Sequence, residues 1–269
     1  MKKKVVISLF FISILSLLLT LTPNVIGQSE NVQVLSYNWY ISSRGTFIVV
    51  GEVQNVGPSN IKYIYLQGLV ISPDEEVQAY SYNRAYSTEI LPQQKVPFIL
   101  YFTAETSRTG DLSWISGGVD RVELAIITAN ETDDYQYPNL EIFNDSDYIN
   151  SNGLFTVAGN VRNTGNQDSG KLWVVATFYN STGSVIGVGF SNYLTPDSLP
   201  PAQTSSFTLT TVDFDNKLTN EISDYTLLIQ TEGPIIPEFP SWIIIPLFLI
   251  FTLFAVYLRK KIYCQDSSN

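Results

Sequence analysis

The chain has 269 residues, a formal net charge of −10, 16 Tyr and 15 Phe, but no His, one Cys and one Met. Without His there is no His-based triad, imidazole metal site or imidazole proton relay. One Cys forms no internal disulfide, and the acidic balance has the wrong sign for wrapping nucleic-acid phosphates. Charged residues at 15% and aromatics at 13% fit a β-rich extracellular module rather than a disordered acidic chain.

The chain opens with Met1-Lys2-Lys3-Lys4, followed by an uncharged apolar run over residues 5–21. A basic head, a long apolar middle and small residues beyond it predict a secretory signal peptide, residues 1–27, cleaved before Gln28. An uncleaved signal anchor is the alternative.

Next comes a tandem repeat. A shift of 108 residues lays the chain on itself without a gap, matching Tyr40 with Tyr148, Gly45 with Gly153, Phe47 with Phe155 and Val49 with Val157. The register continues through Gly51 and Gly159, Val53 and Val161, Asn55 and Asn163, and Gly57 and Gly165, out to Leu91-Pro92 and Leu199-Pro200. One register held over about sixty positions predicts two homologous domains, residues 28–129 and 139–231, joined by a linker over 130–138.

Within each copy the residues alternate as strands do. Phe47, Val49, Gly51 and Val53 alternate with Ile48, Val50, Glu52 and Gln54, and Phe155, Val157, Gly159 and Val161 repeat the pattern. Period two predicts one buried strand face. Val-x-Asn-x-Gly then ends the strand, with Asn and Gly expected to turn the chain at positive φ. Further strands are predicted over 63–71 and 171–179, 77–82 and 185–190, 96–103 and 205–212, and 122–128 and 225–230. Hairpin turns are predicted at Pro73-Asp74 and Ser181-Thr182-Gly183, and short helical turns within 111–115 and 216–222. The fold class is all-β: two tandem Ig-like antiparallel β-sandwiches, flanked by the signal helix and a C-terminal transmembrane helix.

After a Pro-rich spacer over 232–238, residues 239–258 carry no charge. As a helix they would span about 30 Å, the thickness of a bilayer core. Arg259-Lys260-Lys261 follows, so the positive-inside rule places the tail, 259–269, in the cytoplasm and the bulk of the chain outside. The part between the two apolar runs holds nine basic and 24 acidic residues and no Cys, a surface that stays soluble and repels anionic headgroups.

Two stretches carry family resemblances. Gly159-x-Val161-x-Asn163-x-Gly165, then Val174-x-Ala176-x-Phe178-Tyr179-Asn180-x-x-Gly183-x-Val185, resembles the FxLYD type of Ig-like domain. The first copy has Val70-Ile71-Ser72 in that slot, so its assignment rests on the repeat. Such modules occur on archaeal and bacterial surfaces, and the resemblance implies no shared catalytic residues. Pro237-Glu238-Phe239, just before the terminal apolar run and its basic stop, resembles the PEF-CTERM sorting signal of archaea. That resemblance implies an archaeosortase partner, cleavage near the tripeptide and transfer of the exterior part to a lipid; a plain type I membrane anchor is the alternative.

Candidate sites are few. Asn130, Asn144 and Asn180 head N-x-Ser/Thr sequons, each expected in a linker or turn that a glycosyltransferase can reach. Asp145, Asp147 and Asn150 start like a calcium loop but put Ile149 at a ligand position, and Asp213, Asp215 and Asn216 are shorter still, so solvated acids are expected rather than calcium. Tyr80, Tyr82 and Tyr86 would suit a sugar platform, but Tyr80 aligns with Val188 and Tyr82 with Phe190, which predicts core. No carboxylate pair stands out in both copies as glycoside hydrolysis would need. The expectation is a non-enzymatic, cofactor-free cell-surface protein, membrane-anchored, whose tandem modules serve adhesion or contact with envelope proteins or glycans, and that contacts no nucleic acid. A ligand-binding or sensor subunit of a membrane complex is the alternative; it needs a pocket between the domains.

Overall fold

The computed structural model describes residues 30–134, 136–212 and 218–232. The predicted signal peptide, transmembrane helix and tail lie outside these. Among the described residues no helix is long and apolar enough to cross a membrane; helical structure there consists of three 3-10 turns, Ala104–Thr106, Ser113–Gly117 and Thr219–Glu221.

Everything else regular is strand, paired antiparallel in four sheets. The first holds β1 (Val32–Ile41), β2 (Phe47–Asn55) and β6 (Lys95–Phe102) in the order β1-β2-β6. The second centres on β3 (Asn60–Ile71), which pairs with β4 (Val77–Arg84), β5 (Glu89–Ile90) and β7 (Arg121–Thr132). The third, β12-β9-β8, uses β8 (Leu140–Ile149), β9 (Phe155–Asn163) and β12 (Thr204–Thr210). The fourth, β11-β10-β13, uses β10 (Leu172–Tyr179), β11 (Val185–Phe190) and β13 (Asp224–Thr231).

The first two sheets enclose one core, built on Phe47, Phe98, Phe102, Leu66 and Leu124. The last two enclose another, built on Phe155, Phe178, Phe207, Val174 and Leu199. Rings meet edge to face, Phe47 with Phe102 at 5.6 Å and Phe155 with Phe178 at 5.5 Å. Each such buried side chain contributes about 1.5–3 kcal/mol by leaving water. In both cores a strand glycine makes room for a ring on the partner strand. A Cβ on Gly51 would sit 2.5 Å from Phe98 Cζ, and one on Gly159 would sit 2.8 Å from Phe207 Cζ.

The 108-residue register recurs in polar contacts. Asn55 Nδ2 donates to the carbonyls of Ser59 and Ile90, and its Oδ1 accepts from Gly57 N. Asn163 does the same with Gln167, Leu199 and Gly165. These residues act otherwise than expected. Neither Asn nor the following Gly has positive φ; the fully buried amide satisfies backbone groups as the chain leaves the strand. Sharp reversals come instead at Ser42 with Gly45, Asn150 with Gly153, and Asn180 with Gly183, whose glycines have φ of 80°, 75° and 79°.

Strand β2 departs from the one-face expectation: its outward Ile48, Val50 and Glu52 are buried as well. The reason is a third apolar cluster, in which Ile48, Val50 and Ile99 meet Val185 and Val188 of β11. The two sheet pairs thus share a dry seam, and they cluster as one compact unit. Polar bonds flank the seam. Tyr179 Oη donates to Glu52 Oε1 at 2.7 Å. Ser87 Oγ and Gln136 Nε2 both donate to Gln230 Oε1, at 2.6 and 3.0 Å.

Candidate ligand-binding groove

Beside the seam the surface dips into a groove of about 440 Å³, within the range of small-molecule sites. Its walls come from both sheet pairs. Strand β4 ends in Arg84, which points outward because the alternating Ala79, Ser81 and Asn83 turn inward. Tyr86 follows, held by a backbone bond from its N to Pro97 O. From the other side come Trp173, on the outward face of β10, and Phe190, Ser191, Asn192 and Tyr193, where β11 ends.

The rings are mutually braced. Tyr86 stacks on Phe190 with centroids 5.4 Å apart, and Trp173 meets Tyr193 edge-on at 5.5 Å. Lys171 Nζ lies 5.6 Å from the Tyr193 ring centroid, and the Arg84 guanidinium lies 5.1 Å from that of Tyr63. Phe190 and Tyr193 are 42% and 51% exposed, large apolar surfaces left to water. Ser191 Oγ is committed: it accepts from Val174 N at 3.0 Å and donates to Asn192 O at 2.8 Å. The Asn192 amide and the Arg84 guanidinium have no hydrogen-bond partner among the described residues.

Burial pushes the Tyr86 hydroxyl up to about 12. It does the same to Tyr179 in the seam, where Glu52 adds to the push. A phenol in the unfolded chain titrates near 10. The folded state therefore holds these groups neutral, and the stability this contributes is complete below pH 10 and lost as pH rises through about 12. The expected result is a melting temperature that falls between pH 10 and pH 12, with a shallower fall in Tyr179→Phe. Identical pH profiles for the two proteins would refute the assignment to Tyr179.

The sites expected from sequence fall elsewhere. Tyr80 and Tyr82 are not core: they are 46% and 66% exposed on the outward face of β4. Val188, the equivalent of Tyr80, is buried, but against the other sheet pair rather than in its own core, and Phe190, the equivalent of Tyr82, is 42% exposed, which is why apolarity in both copies misled. Tyr86 is half-buried and belongs to the groove. Asn130 lies exposed on β7, opposite Lys62, rather than in a linker. Asn144 is exposed inside β8, at positive φ beside an irregularity in the pairing, not in a turn. Asn180 does open the β10–β11 turn, where its Oδ1 accepts from Thr182 N and Ser184 N.

Asp145 and Asp147 sit on β8, and Asp145 Oδ2 accepts from Tyr225 Oη at 2.8 Å. Asn150 caps the turn after that strand. Among the described residues no three His, Cys, Asp or Glu side chains gather as metal ligands do. Asp213, Asp215, Asn216, Pro237, Glu238 and Phe239 lie outside the described residues.

Sequence reasoning missed Arg84, Trp173, Phe190 and Tyr193. A signal was present: Tyr86 aligns with Leu194, and Tyr193 with Ala85. An aromatic in one copy opposite an aliphatic in the other marks a place where the copies diverge, here beside the core residues Ala85 and Leu194.

No family model matches the chain, and no curated protein matches it significantly. Among solved structures, a red sea bream transglutaminase is similar at 9% identity with a TM-score of 0.22, over 77% of this chain and 29% of that one. The chain therefore spans less than a third of that protein's length, and a likeness this low assigns neither fold nor activity.

Proposed function

We propose that the protein is a non-enzymatic cell-surface protein in which two tandem Ig-like sandwiches, of the FxLYD type, are held to the membrane and recognise envelope proteins or glycans. The observation that carries this reading is the apolar seam of Ile48, Val50, Ile99, Val185 and Val188. It makes a paired unit that resists hinge motion, as a recognition module needs. The charge pattern agrees: nine basic against 24 acidic residues between the apolar runs, and basic residues directly after the second run. Pro237-Glu238-Phe239 supports processing by an archaeosortase, with a retained transmembrane anchor as the other outcome.

Protease added to intact cells tests the orientation. The segment before Pro237 is digested alongside known outward-facing proteins; protection of that segment overturns the reading. Mass spectrometry of the mature protein tests the sorting step, since a recovered peptide ending at Asn269 eliminates cleavage. A second reading, a ligand-binding or sensor subunit of a membrane complex, is favoured by the groove between the sheet pairs.

A further inference from the structure

We propose that the groove between Arg84, Tyr86, Trp173, Phe190, Asn192 and Tyr193 binds a saccharide bearing a carboxylate. This deepens the surface-recognition reading by giving the groove a ligand class.

Three observations carry it. The first is the exposure of braced aromatic faces. The negative face of a ring attracts the polarised C–H bonds on one side of a pyranose, as it attracts other positive edges and cations. Tyr86 on Phe190 and Trp173 against Tyr193 are already fixed by each other, so little ordering remains to be done on binding.

The second is charge. Among the described residues eight basic side chains are present. Six of them, Lys62, Lys95, Arg108, Arg121, Arg162 and Lys171, have a carboxylate within 4.0 Å. Arg84 and Arg44 have none among the described residues, in a chain with 25 acids to 15 bases. Arg84 is the one of the two that lines the groove, where it presents a planar fork matched to a carboxylate.

The third is Asn192, whose unpartnered amide offers a donor and an acceptor suited to a sugar hydroxyl pair. A purely apolar ligand would leave both polar groups unused, and a neutral sugar would leave Arg84 unpaired.

The test is calorimetric titration of the full chain, purified in mild detergent, with trigalacturonate and with its methyl ester, which keeps the rings and removes the charge. Trigalacturonate binds saturably and the ester binds about tenfold more weakly, the loss expected for a charge-assisted hydrogen bond. Arg84→Gln abolishes that preference. Tyr193→Ala weakens both ligands. Arg44→Gln, the other arginine without an ion pair, changes neither, and melting temperatures verify that each variant is folded.

Equal affinity for acid and ester, or an Arg84→Gln variant that keeps the preference, overturns the proposal. So does the absence of saturable binding to trigalacturonate, hyaluronan oligomers and sialylated oligosaccharides alike. The titration is independent of membrane orientation. A failed titration leaves the protease result standing, and a protected exterior leaves the titration standing.

Discussion

Val50→Asp splits the unfolding of the full chain into two transitions, while Ala158→Asp, at the matching position of the second copy, leaves one. Val50 lies on the outward face of β2, between Asn38 and Ile99 in the pairing and fully buried in the seam. A carboxylate there has no cationic partner, and Glu52, already buried two residues on, adds a like charge on the same face. Leaving such a charge uncompensated costs about 3–5 kcal/mol, enough to separate the sheet pairs while sparing each pair's own core. Ala158 sits between Ser146 and Thr208 on a partly solvated face, where a carboxylate stays hydrated and costs about 0.5 kcal/mol. Differential scanning calorimetry distinguishes the cases. One unshifted transition in Val50→Asp would show that the seam contributes nothing to cooperativity.

Asn163→Ala destabilises the C-terminal sheet pair by about 3–5 kcal/mol, more than the loss of any single hydrogen bond. Its amide donates to Gln167 O at 2.6 Å and Leu199 O at 2.7 Å, and accepts from Gly165 N at 2.9 Å. The Tyr137 hydroxyl lies 3.1 Å from its Oδ1. Asn163 and Leu199 are fully buried, and Gly165 and Gln167 are partly buried. Alanine leaves Gly165 N unsatisfied, at about 1–3 kcal/mol, while Gln167 O keeps Tyr137 Oη and Leu199 O keeps Ser169 N, so each of those two lost bonds adds about 0.5–1.5 kcal/mol. Tyr137→Phe removes one member of the set and costs about 1 kcal/mol. Urea midpoints at constant slope measure both; equal losses in the two variants would mean that the amide does not organise this corner.

Strand identity was legible wherever the period of two ran unbroken, as in β2, β9, β10 and β12. It failed at β1 and β8, which went unassigned. Pairing shifts between Val34 and Ser36, and between Phe143 and Ser146; a bulge breaks the alternation that periodicity depends on. The Val-x-Asn-x-Gly turn was located correctly but explained wrongly, because conformational tolerance in Asn looks the same in sequence as a buried amide.

The seam and the groove were not read for a common reason. Matching the two copies draws attention to identities, and identities record the inward faces that both cores need. The seam uses outward positions that mostly differ between the copies: Ile48 and Val50 against Thr156 and Ala158, and Val188 against Tyr80, with Val185 matching Val77. The groove uses Tyr193 where the first copy has Ala85. Subtracting one repeat from the other recovers both, whereas averaging the two erases them.

That difference between β2 and β9 also bears on whether the contact can repeat. An oily outer strand on the leading module receives the trailing one, a contact between unlike surfaces that closes no ring. Repeated from molecule to molecule, such a step would propagate into an endless fibre. On β9 the matching positions are Thr156, which is buried, and Ala158 and Asn160, which are partly exposed; they offer no aliphatic strand on which the step could repeat.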